Sequence, residues 1–267
     1  TLSEERTQAN LERLGSFMQF AAEKLGSDHV RAMLVPTASG VLDNRMPAFA
    51  SDFDQAALLE KAAALCPDDT FLNLLPLLQE HKEEPIYYRT DHHWTTLGAF
   101  YGYTAWAESI GLTPYGREDF SEETVADDFY GTTHSKINLP VYPDSIIRYT
   151  PRFPAAYHLI FNLGEKESDS LYDESKLEGK DKYSYFLGGN NPIVTITSST
   201  GEKGRRLLII KDSYSHCFAP FAVNHLKKRH SSICVTSTSA SRPSWSRKTL
   251  PTFLFYTVPP ILPTTEI

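Results

Sequence analysis

The sequence predicts an α/β fold, and three observations carry that prediction. Segments with apolar residues at helical spacing alternate with short runs of buried-strand character along most of the chain. Two polar turns each stand between such a strand and the helix after it, where open α/β sheets place their sites. Hydrophobic residues make up 41% of 267, enough for the core of one large domain or two smaller ones.

The first helix is read from Leu11, Leu14, Met18, Ala22 and Leu25, with Glu4 and Glu5 in its first turn, Lys24 in its last and Gly26 as its stop. A strand follows at Val30–Val35, closed by Pro36. A second helix starts near Asp54, carries Leu58, Leu59, Ala62 and Leu65, and ends at Pro67. Phe71–Leu78 reads as helical and Ile86–Tyr88 as a short strand. After Thr90-Asp91-His92-His93-Trp94, a helix with Ala99, Tyr103, Trp106 and Ile110 at helical spacing begins at a Thr95 or Thr96 N-cap and stops at Gly111. Residues 113–205 form an irregular, β-rich insertion with strands expected at Ile146–Tyr149, Tyr157–Phe161 and Ile193–Thr197. The charged stretch Glu165–Lys182 reads as a solvated loop. A buried strand, Leu207–Ile210, then leads through Lys211-Asp212-Ser213 into a helix expected over Phe218–Lys227.

From Lys228 the composition changes, so the α/β domain is placed at 1–227 and the tail at 228–267. The tail holds 7 Ser, 7 Thr and 5 Pro, no Gly and one acid, Glu266. Its codons, read from each third base, permit FVDLRYF across 230–237 and VLVLYSTANFA across 252–263, segments like those that the family resemblance given below implies there. A two-base change of phase near Lys228 explains both the composition and these strand-like readings. The literal tail is therefore expected to lack a natural sheet strand and to pack irregularly.

The net charge of −7 argues against a nucleic-acid partner, which needs a basic face. No apolar run reaches the ~20 residues of a membrane span. The chain begins at Thr1 without a signal segment, so a targeting segment is expected to be missing from it. Cys66, Cys217 and Cys234 fit neither a zinc spacing nor CxxC. They read as small semi-buried thiols, with a Cys66–Cys217 disulfide open to an oxidising compartment.

Two constellations carry chemistry. A serine nucleophile needs a base for its proton, and the base needs a carboxylate to hold its tautomer. Asp91 and His93 share a face of an extended segment, so His93 is the expected base, and His92 points away. Ser213 follows a strand and is the candidate nucleophile. The plainer readings stay open: Asp-Ser as a helix N-cap, and His92-His93 beside Trp94 as a packing cluster. For the oxyanion, the Ser213 N–H is one donor, and Gly189 and Asn190 offer an amide N–H and a side-chain amide, unless Gly188–Asn191 is only a β-turn. The scattered His134, His158, His216, His225 and His230 default to surface or capping roles. Asp-His-His also occurs in manganese DHH phosphoesterases. Those need upstream aspartates, and the Asp52-Phe53-Asp54 segment here opens a helix instead.

The block Tyr87–Trp106, YYRTDHHWTTLGAFYGYTAW, resembles the signature of the DHHW-motif family of bacterial envelope proteins, which is similar to alginate O-acetyltransferases with an SGNH-hydrolase-like domain. Leu34–Leu42, Phe129–Lys136 and Leu207–Phe221 also resemble family blocks. The resemblance implies a three-layer SGNH-like fold with a partly parallel sheet, and Asp91, His93 and Ser213 as acid, base and nucleophile. It also implies an extracytoplasmic home, a polysaccharide substrate, no metal or organic cofactor, and a membrane acyl-exporting partner as donor. A non-catalytic surface carbohydrate-binding or assembly protein is the alternative. Lys211 departs from the glycine that precedes Asp-Ser in ordinary SGNH hydrolases.

Overall fold

The computed structural model describes residues 4–46, 53–203, 206–227, 233–237 and 252–258. Helix α1 (Glu4–Leu25) buries Leu11, Gly15, Met18 and Ala21 along one stripe. It leads to β1 (Val30–Leu34), which is buried throughout, and to the short α2 (Ala38–Val41). Helix α3 (Gln55–Leu65) starts where the Asp54 carboxylate accepts from the Ala57 N–H.

Phe71–Leu78 is not one helix. Phe71 and Leu72 form β2, paired parallel to β1, and only Leu75–Glu80 winds into α4. The Asn73 side chain, accepting from the Leu75 N–H, separates the two. Nor is Ile86–Tyr88 a strand. Tyr87 makes a single antiparallel bridge to Trp94, and the Tyr88 N–H donates to the His93 carbonyl at 3.2 Å, so the chain doubles back over 88–93.

Helix α5 (Thr96–Ser109) starts at Thr95, whose hydroxyl accepts from the Gly98 N–H, and is buried on most of its surface. Two glycines set its depth. A Cβ on Gly98 would meet the Ile86 carbonyl at 2.4 Å, and one on Gly102 would meet the Trp94 ring at 2.8 Å. Glycine thus seats the helix directly beneath the Asp91–Trp94 loop.

The insertion is more regular than expected. β3 (Phe120–Phe129) and β4 (Asp144–Pro151) form a long antiparallel hairpin around α6 (Thr132–Ile137). β3 is buried only at its ends, Phe120 and Phe129, and exposes the consecutive acids Glu122 and Glu123 and Asp127 and Asp128, so it carries no alternation to read. β5 (Tyr157–Phe161), β6 (Lys166–Ser168), β7 (Ile193–Ser198) and β8 (Glu202–Lys203) follow, then β9 (Arg206–Lys211).

Phe218–Lys227 is likewise not a continuous helix. α7 spans only Ala219–Ala222, followed by a 3-10 turn and β10 (Leu226–Lys227). The Asn224 amide donates to the Pro220 and Phe221 carbonyls and so takes over the helix end.

The expectation of a tail without a strand is corrected. β11 (Ile233–Ser237) and β12 (Thr252–Val258) both enter the main sheet. Their β-branched and aromatic residues suit a strand, and gaps on both sides of β9 supply hydrogen-bonding edges. The remaining tail residues, including His230 and residues 259–263 of the out-of-phase reading, lie outside the described residues.

Among the described residues the main sheet has eight strands in the order β2-β1-β12-β9-β11-β7-β5-β6. β12 is antiparallel to both β1 and β9, while β9 and β11 are parallel. β1, β2, β9 and β11 therefore run the same way, and the sheet is partly parallel. Cys66 and Cys217 are buried free thiols, with no disulfide between them. His216 and His225 are buried rather than exposed. Among the described residues, no helix is long and apolar enough to cross a membrane.

Candidate active site

Three predicted residues meet at the carboxyl end of β9. The Ser213 Oγ lies 2.7 Å from His93 Nε2, and His93 Nδ1 lies 2.5 Å from Asp91 Oδ1. Ser213 opens a 3-10 turn (Ser213–His216) whose cap is Asp212, accepting from the Tyr214 N–H.

Asp91 reaches His93 for a different reason than strand alternation. The His93 N–H donates to Asp91 Oδ1 at 3.1 Å, which closes an Asx-type turn and folds the carboxylate back over the ring. The other oxygen, Oδ2, accepts from the Thr132 N–H at 2.7 Å and the Thr132 hydroxyl at 3.0 Å. Burial would raise the Asp91 pKa, but the His93 hydrogen bond, both histidines and the Thr132 amide together hold it well below the usual carboxylate range. Asp91 is thus an anion that accepts from the imidazole.

His92 does not point away. Its ring lies over His93, with centroids 3.8 Å apart, and its Nδ1 meets the Thr132 hydroxyl at 2.7 Å. The other face of His93 stacks on Tyr183, at 3.7 Å and 9° between planes. The base is therefore held between two rings.

The loop before the histidines is fixed by Asp144 of β4. Its buried carboxylate accepts from the Arg89 N–H, the Thr90 N–H and the Thr90 hydroxyl. Trp94, fully buried, donates its indole N–H to the Tyr214 carbonyl at 2.9 Å and so ties this loop to the serine turn. Gly131 is required by close approach, since a Cβ there would lie 2.3 Å from Asp91.

Burial pushes the Tyr183 and Tyr214 phenols well above their ordinary range, so both are donors at neutral pH. It pushes the Lys211 ammonium down to about 7, opposed by Asp212. Burial, with Lys211 and His93 nearby, holds His216 well below the usual imidazole range.

Gly189 and Asn190 form the turn after Leu187. The Gly189 N–H donates to the Phe186 carbonyl at 3.2 Å, and the glycine packs against Ser184. Asn190 is exposed. Asp91, His92 and His93 offer ligand atoms within 4.8 Å of one another and form a metal-sized cluster. The 2.5 Å contact between the carboxylate and Nδ1 fills the space an ion would need between them.

Thr132, Asp144, Tyr183 and Tyr214 were not singled out in the sequence. Thr132 and Tyr214 sit within the Phe129–Lys136 and Leu207–Phe221 blocks, a usable signal; Asp144 and Tyr183 carry none.

A hydroxyl, an imidazole and a buried carboxylate in one hydrogen-bonded line, at a strand end of a mixed α/β sheet, define a class of protein equipped to draw a proton from serine. The chain belongs to the DHHW protein family, whose model matches residues 15–231. It is similar to a solved DHHW family protein from Eubacterium siraeum, 25% identical, with a TM-score of 0.69 over 85% of this chain and 75% of that one. It is also similar to Bacillus cereus PatB1, solved with a sulfonyl adduct, 17% identical, with a TM-score of 0.68 over 89% and 80% of the two chains. The O-acetyltransferase domain of Pseudomonas putida AlgJ is 20% identical, with a TM-score of 0.38 over 57% of this chain and 59% of that one. No curated protein matches the sequence.

Proposed function

We propose that this chain is an SGNH-like O-acetyltransferase or acetylesterase acting on an envelope polysaccharide. The observation that carries the reading is the unbroken line from Ser213 Oγ through His93 to Asp91. Ser213 Oγ attacks the acetyl carbonyl carbon while His93 Nε2 takes its proton. The carbonyl π electrons move to oxygen, and Asp91 stabilises the imidazolium formed at Nδ1. Collapse of the tetrahedral intermediate expels the donor's alkoxide, which takes the proton from His93 and leaves acetyl-Ser213. A sugar hydroxyl or water, deprotonated by His93, then attacks and releases Ser213.

The oxyanion falls to the Ser213 N–H, the first amide of its 3-10 turn and one without a partner inside that turn. The Gly189 N–H, committed to the Phe186 carbonyl, is not counted as a donor in this reading. The acetyl group would come from a membrane-embedded acyl-exporting partner. The metal phosphoesterase reading draws on the Asp91-His92-His93 cluster alone, without the serine that completes the line here.

Two measurements test this. Phenylmethanesulfonyl fluoride, followed by peptide mapping, should place one adduct on Ser213. Hydrolysis of 4-nitrophenyl acetate should persist in EDTA and vanish in Ser213→Ala. A protein inert to both reagents would instead be the non-catalytic surface module, and chelator-sensitive phosphodiesterase activity would point to the metal reading.

A further inference from the structure

We infer that Tyr183 is a positioning residue for this chemistry, setting both the plane and the charge preference of the His93 imidazole while pinning the Ser213 turn. The inference rests on the acyl-transfer reading above.

Tyr183 lies on a 3-10 turn (Lys182–Tyr185) far in sequence from both site loops, and it touches both. Its ring stacks on His93 at 3.7 Å and 9°. Its hydroxyl donates to the Ser213 carbonyl at 3.1 Å, with Cys217 Sγ at 3.2 Å. Only 4% of the residue is exposed, and Tyr88 meets the ring edge-on, so the ring has no room to tilt. A single side chain therefore fixes base and nucleophile relative to each other.

The stack also bears on charge. An aromatic face attracts a cation, so the imidazolium formed during attack gains from Tyr183. The other groups facing His93 are Asp91 at Nδ1, Ser213 at Nε2, His92 on the opposite face, Tyr214 at 4.9 Å between ring centroids, and His216 behind Tyr183, with Lys211 beyond it. Of these, Asp91 and Tyr183 favour the charged ring, whereas a protonated His92, His216 or Lys211 opposes it.

The test is the pH dependence of Ser213 sulfonylation by phenylmethanesulfonyl fluoride. In this step an Oγ–S bond forms, the S–F bond breaks, fluoride leaves and the serine proton passes to His93. The rate is followed as a function of pH, because His93 must take up the serine proton. In Tyr183→Leu the imidazolium loses its aromatic face, so the midpoint should fall by about half a pH unit and the plateau by roughly tenfold. Tyr183→Phe keeps the face and loses the hydroxyl. Its midpoint should stay in place while the plateau falls about three- to tenfold.

If Tyr183→Leu does not fold, pentafluorophenylalanine at position 183 keeps the shape of the Phe variant and reverses its ring quadrupole. The midpoint must then drop below that of Tyr183→Phe. Wild-type labelling with an unmoved midpoint in these variants would overturn the role of Tyr183 alone. Failure of the wild type itself to label would overturn the acyl-transfer reading, and this inference with it.

Discussion

The two halves of the site are held in different ways. The Thr90–Trp94 loop has little regular structure and is fixed by polar contacts: Asp144 beneath Thr90, Thr132 on Asp91, and the Trp94 indole on the Tyr214 carbonyl. The serine turn instead grows out of β9, whose inward residues Leu207, Ile209 and Lys211 are buried. It is fixed by the sheet and by its own Asp212 cap. The base side therefore depends on individual hydrogen bonds, any of which one substitution removes. The serine side rests on the sheet beneath it as well as on the Asp212, Trp94 and Tyr183 hydrogen bonds.

Predictions that break this contrast run from severe to slight. Asp91→Asn keeps the shape but reverses one hydrogen-bond role, and the serine-dependent rate should fall by roughly three to four orders of magnitude. Retention of a tenth of the rate would remove Asp91 from the mechanism. Gly131→Ala comes next, since its methyl must displace the Asp91 carboxylate. A large loss of rate with an unchanged melting temperature is expected.

Asp144→Ala strands three donors beneath the loop. It should cost about 2–3 kcal/mol in urea unfolding and lower activity as well. A loss of activity with full stability would show that the contacts at Asp144 align the loop without supporting the fold.

Lys211→Met probes the other half. Burial lowers the folded-state pKa from 10.5 to about 7. Between those values the unfolded chain binds the extra proton, so stability rises with pH across that window. Removing the ammonium should raise Tm clearly at pH 6 and hardly at pH 10. An equal gain at both would mean packing, not charge, is responsible. The mildest effect belongs to His92→Ala, whose half-exposed ring supports one face of His93. Its labelling rate should stay within about threefold of wild type, the scale of one exposed contact.

Much of this site could be read from the sequence because its chemistry is local. Asp91 and His93 stand two residues apart, Ser213 stands two residues after its strand, and the Asp54 and Thr95 caps each stand at the start of their own helix. The reason given for Asp91 facing His93 was nevertheless wrong, because a side-chain turn does what strand alternation was expected to do. Tyr183 and Asp144 escaped notice because their roles come from contacts 90 and 54 residues away along the chain. The β3–β4 hairpin escaped because β3 is buried only at its ends and carries no alternation. His216 and His225 misled because composition carries no information on burial. The tail gave the sharpest disagreement, since backbone pairing places strands where composition argued for none. The family match ends at residue 231, close to the proposed change of phase. Resequencing the source DNA should recover the out-of-phase segments, and an uninterrupted frame through Ile267 in related strains would overturn that explanation.

The order of strands also bears on how the protein is made. β12 lies between β1 and β9, and β11 between β9 and β7, so the latest of the described strands fill the middle of the sheet. During translation the earlier strands wait with bare edges facing one another, the kind of surface that invites pairing with other chains. A ribosome that stops before these strands therefore leaves out the centre of the sheet rather than its rim. Such a chain would be met by holding chaperones and quality-control proteases.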